Sequence, residues 1–74
     1  MDNKAIVEGV KRCVREELSE AQNPSSCKEW KQAAFWRAFG AVWCATRLSS
    51  ELYDEIDPWW KNEMHPKFWK ALHG

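Results

Sequence analysis

Glycine is scarce in this chain: Gly9, Gly40 and Gly74 are the only three in 74 residues, and no two stand close together. A loop that cradles phosphate through its backbone amides needs several glycines in one short stretch, so that chemistry is excluded. Net charge is missing as well. Eleven Lys and Arg balance eleven Asp and Glu, which leaves no global field to draw DNA, RNA or an anionic membrane. Long apolar runs are lacking too: residues 33–45 form a stretch of thirteen interrupted by Arg37, whereas a membrane span needs about 20. No segment shows strand alternation bounded by hairpin turns. Cys13, Cys27 and Cys44 make no CxxC pair, and with His65 and His73 they offer no metal-ligand spacing. The sequence therefore predicts no metal and no cofactor. An odd cysteine set with no signal-peptide pattern points to a reducing cytoplasm.

Size bounds what remains. At 8.7 kDa the chain should expose about 12,600 Å² unfolded and about 4,700 Å² folded, so that roughly 60% of its surface is buried in one domain, residues 1–74. That core is thin, yet a 45% hydrophobic content with six Trp is far too apolar for a disordered segment.

The hydrophobic pattern is helical throughout. Over residues 2–21, Ile6, Val7, Val10, Cys13, Val14 and Leu18 fall in one stripe at 100° per residue, and Lys4, Glu8, Arg12 and Glu16 supply favourable i,i+4 pairs on the other side. Asn23-Pro24-Ser25 ends this helix, because proline removes a donor and disfavours helical geometry in the residue before it. Ser26 with Glu29 three positions later has the form of a capping box opening a second helix over residues 27–48. One side of that helix is bulky, with Phe35, Phe39, Val42 and Thr46 beside Trp36 and Trp43. The other is smooth, with Ala34, Ala38, Ala41 and Ala45 at spacings of 4, 3 and 4. A helix apolar on two sides is sandwiched between partners, so this one is expected at the centre. The smooth stripe is the expected self-association surface of a homodimer.

Beyond it, Ser49-Ser50 offers a cap for a short helix carrying Leu52, Tyr53 and Ile56. Asp57-Pro58 and His65-Pro66 each resemble a helix start, with a cap residue followed by proline. The predicted fold class is all-α: two longer helices and a C-terminal arm of short helices broken at Pro58 and Pro66.

Residues that could carry chemistry have simpler explanations. Asp54, Glu55 and Asp57 suit a solvated first turn favoured by the helix dipole. Cys13 and Cys44 suit small core residues. Cys27 follows a cap and precedes Lys28, a setting that can activate a thiol, but no base is arranged beside it. No enzymatic activity is expected.

Tryptophan is the feature that calls for an explanation, because so thin a core cannot hold six indoles completely. Trp36 and Trp43 are the expected core fillers. Trp59, Trp60, Phe68 and Trp69, interleaved with Lys61, Lys67 and Lys70, are the expected partner-binding surface, since Trp buries a large area at low entropic cost. The function this predicts is a non-enzymatic interaction factor: an adaptor, regulator or inhibitor of a larger protein, of a kind common among phage and prophage accessory factors. The alternative is a module for single-stranded nucleic acid, stacking bases on the same Trp residues while the lysines follow the phosphates. Zero net charge and the four acids at residues 51–57 speak against that alternative.

Overall fold

A computed structural model describes residues 2–73, which are helical over most of their length. Helix α1 spans Asn3–Gln22, α2 spans Lys28–Thr46, α3 spans Ser50–Trp59 and α4 spans His65–His73, with a π-helical turn at Trp60–Met64 joining the last two. The all-α fold class expected from the hydrophobic pattern is the one observed. α1 and α2 pack against each other, and each also packs against α3 and α4. The accessible surface of 5110 Å² exceeds the roughly 4,700 Å² expected for this mass, in keeping with several indoles left outside.

Local chemistry sets the helix ends, in part differently from the sequence expectation. Asp2 caps α1 by accepting from the Lys4 amide at 3.2 Å. Ser49 caps α3 in the same way, accepting from Leu52. Ser26 does not form the expected capping box. Its hydroxyl donates to the Glu20 carbonyl at 3.1 Å, satisfying the open end of α1, and Cys27 stands at the α2 N-cap with no side-chain bond. The turn between the helices is tightened by the Asn23 side chain, which accepts from the Ser25 amide at 2.9 Å. Asp57, expected to cap a new helix, instead lies inside α3 and pairs with Lys61 one turn later at 3.1 Å.

The C-terminal arm is not broken at Pro58 or Pro66, because residues 50–73 form one uninterrupted helical run. Leu52, Ile56, Trp60, Met64 and Phe68, spaced by four throughout, are all buried. In an α-helix four residues overshoot a full turn by about 40°, so such a stripe would wind off the core within a few steps. The turn at Trp60–Met64 closes with the His65 amide on the Trp60 carbonyl, five residues back. Five-residue closure takes more residues per turn and resets the drift. It also widens the helix just before Pro66, where the ring would otherwise press on the carbonyl four residues earlier. Pro58 forfeits one hydrogen bond at a cost of about 3 kcal/mol, but each large side chain buried along this stripe contributes about 1.5–3 kcal/mol. Continuity wins because five of them are buried on one side.

Candidate interaction surface

Phe35, on α2, is the hub of an aromatic cluster. Its ring lies 5.1 Å from Trp36, 6.2 Å from Phe39, 6.0 Å from Trp60, 5.9 Å from His65 and 5.8 Å from Phe68, centroid to centroid. Trp60 and Phe68 form its interior end, 5% and 0% exposed. Trp36 forms its exterior end, 63% exposed, and is held edge-on against both Phe35 and Phe39. A rigid aromatic path therefore leads from the core to the surface.

The roles of the tryptophans are thus partly reversed from the sequence expectation. Trp36 and Trp43, expected in the core, are exposed, because Phe35 and Val42 occupy the inward positions and the two indoles lie about 100° further round the same helix. Trp60 and Phe68, expected on a partner-binding surface, are core residues of the four-spaced stripe. Of that predicted set, Trp59 is half-buried with the Lys11 ammonium 5.3 Å from its ring centroid. Trp69 is exposed and stacks on His73 at 4.0 Å, and Lys61, Lys67 and Lys70 are exposed. The four aromatic residues do not share one face.

The smooth stripe is also accounted for within one chain. Ala34, Ala38 and Ala45 are buried and Ala41 is half-buried, so the small residues serve close helix packing inside the molecule rather than an open self-association surface. Cys13 and Cys44, expected in the core, are exposed, as is Cys27.

One outward stripe of α2 is Trp36, Gly40 and Trp43, at spacings of four and three; Trp30, 56% exposed, lies on another side of the same helix. A methyl placed on Gly40 would meet nothing within 4 Å, so a gap opens between two projecting indoles. Trp43 is 47% exposed, and its ring is covered on one side by the Arg47 guanidinium at 3.6 Å, which fixes its orientation. Beside the stripe runs a groove of about 320 Å³, lined from α2 by Phe39, Val42, Trp43 and Thr46 and from the C-terminal run by Asp57, Trp60, Lys61 and His65. Its floor is apolar and its rim carries the Asp57–Lys61 pair. That hydrogen bond to Asp57 holds the Lys61 ammonium above its usual pKa. Farther along α2, Arg37 makes two hydrogen bonds to the Glu17 carboxylate on α1, which raise its pKa and tie the two helices together.

Sequence reasoning missed this surface because it assigned the whole bulky side of α2 to the core. The signal that could have found it is the adjacency of Phe35 to Trp36 and of Val42 to Trp43, since neighbours 100° apart cannot both point inward on a narrow contact stripe. No protein-family model matches this chain, and no curated protein or solved structure does so either.

Proposed function

We propose that this chain is a non-enzymatic interaction factor that binds a larger protein in the cytoplasm, as an adaptor, regulator or inhibitor, through the outward face of α2. The observation that carries the proposal is the stripe Trp36–Gly40–Trp43: two oriented indoles with open space between them, next to an apolar groove with a charged rim. This is the anatomy of a binding hot spot, in which aromatic anchors are flanked by groups that exclude water. A helix or extended segment of the partner carrying an apolar side chain would place that side chain over Gly40 and the rest of its apolar face along the groove.

The rival reading, stacking of single-stranded bases on Trp59, Trp60, Phe68 and Trp69, loses its platform, since Trp60 and Phe68 are buried. The deciding experiment is quantitative capture from lysate with wild type, the double variant Trp36→Ala/Trp43→Ala, and Trp69→Ala. The retained partner should be lost in the double variant and kept by Trp69→Ala, each indole contributing about 2 kcal/mol. Equal retention by all three would overturn the assignment of this face.

A further inference from the structure

Lys67 and Lys70 have cationic neighbours from a distant part of the chain. With Lys31 of α2 they line a cleft of about 590 Å³, floored by Leu18 and Ala71 at the junction of α1, α2 and α4. A second cleft of about 390 Å³ adjoins it, sharing Lys31 and Ala71 and adding Lys28 and His73. No Asp or Glu lines either cleft, and the ion pairs among the described residues, Arg37–Glu17 and Lys61–Asp57, lie elsewhere. In a chain with as many acids as bases, four ammonium groups gathered without a facing carboxylate are a local excess of positive charge. A ligand bearing several negative charges complements that excess.

We propose that this basin binds the phosphate groups of a nucleotide ligand. Two clefts side by side suit a succession of charges rather than one, and an ammonium, a compact charge with three donors, suits phosphate oxygens. His73, which lines the second cleft, stacks on the exposed Trp69, so an aromatic pair lies at the margin where a base could rest. The phosphates could belong to a free nucleoside triphosphate or to a single-stranded backbone. The basin shares no lining residue with the aromatic groove of α2, so it stands or falls independently of the protein-binding face.

The test uses the full chain, with wild type, Lys31→Gln/Lys67→Gln and Lys4→Gln, an exposed lysine at the far end of α1, each first shown to keep the far-ultraviolet helical signal. Fluorescence titrations with adenosine triphosphate, an oligothymidylate and polyglutamate are run from about 50 to 200 mM salt. Binding of either phosphate probe, weakened at least about tenfold in the double variant and unchanged in Lys4→Gln, is the expected result. For the oligothymidylate, the log–log salt slope should also become shallower by about 0.7 for each lost contact. Binding of the triphosphate alone assigns a free nucleotide, and binding of the oligothymidylate alone assigns a nucleic-acid backbone; both support the basin. No binding of either phosphate probe at the lowest salt overturns the proposal. So does polyglutamate binding as tightly as the phosphates, or a double variant that binds like wild type.

Discussion

The ring of Phe35 meets the ring of Phe68 edge to face, with centroids 5.8 Å apart. The contact joins the middle of α2 to the far end of the C-terminal run, and it exists only because the run stays continuous past both prolines. Phe68 is fully buried, while its neighbour Trp69 is 60% exposed, so adjacent aromatic residues serve opposite purposes. Phe68→Ala should therefore destabilise the fold by about 3–5 kcal/mol. Trp69→Ala should stay within about 0.5 kcal/mol of wild type. Urea unfolding with a common slope measures both, and similar midpoints for the two variants would contradict the placement of Phe68 in the core.

The helical class, the first helix and the Ser49 cap were legible in the sequence because each rests on periodicity or on chemistry within a few residues. The continuity of the C-terminal run was not, since local signals at Asp57-Pro58 and His65-Pro66 both resemble helix starts. What overrides them is burial of a stripe spaced by four, and a spacing of four looks like an ordinary helical step until it is followed over several repeats. The candidate site was harder still. Trp60 and Trp36 are chemically alike, and only the packing around Phe35 decides that one is 5% and the other 63% exposed.

Pro58 lies well inside the continuous run, where it lacks an amide to donate to the Asp54 carbonyl. The residue after it keeps α-helical geometry, with Trp59 at φ −60° and ψ −45°. Restoring the donor with Pro58→Ala should raise stability by about 1–3 kcal/mol without changing the fold. An arm truly divided at this proline would show no gain in thermal midpoint, or a loss.

All three thiols are at the surface, although an apolar setting on the helical wheel suggests otherwise for Cys13 and Cys44. Native protein should consequently react with a disulfide reagent to three equivalents before any denaturant is added. One equivalent under native conditions, rising to three on unfolding, would place Cys13 and Cys44 back in the interior.

Gly40 offers the sharpest separation of folding from binding. A glycine inside a helix costs roughly 0.5–1 kcal/mol relative to alanine, and neither Gly9 nor Gly40 has an atom within 4 Å that a methyl would strike. Both Gly9→Ala and Gly40→Ala should thus stabilise the free protein by about 0.5–1 kcal/mol, read as a raised thermal midpoint. Their effects on binding should diverge. Gly40 lies between Trp36 and Trp43 at the point where a partner's side chain would sit, so a methyl there takes up space the partner needs, whereas Gly9 is on α1 away from that face. The amount of partner retained in the capture experiment should fall for Gly40→Ala and remain at the wild-type level for Gly9→Ala. Because the two substitutions act alike on the fold, the difference isolates the surface of α2. Equal retention by both variants would mean that the gap between the indoles is unused, and the binding face would have to be sought elsewhere on the molecule.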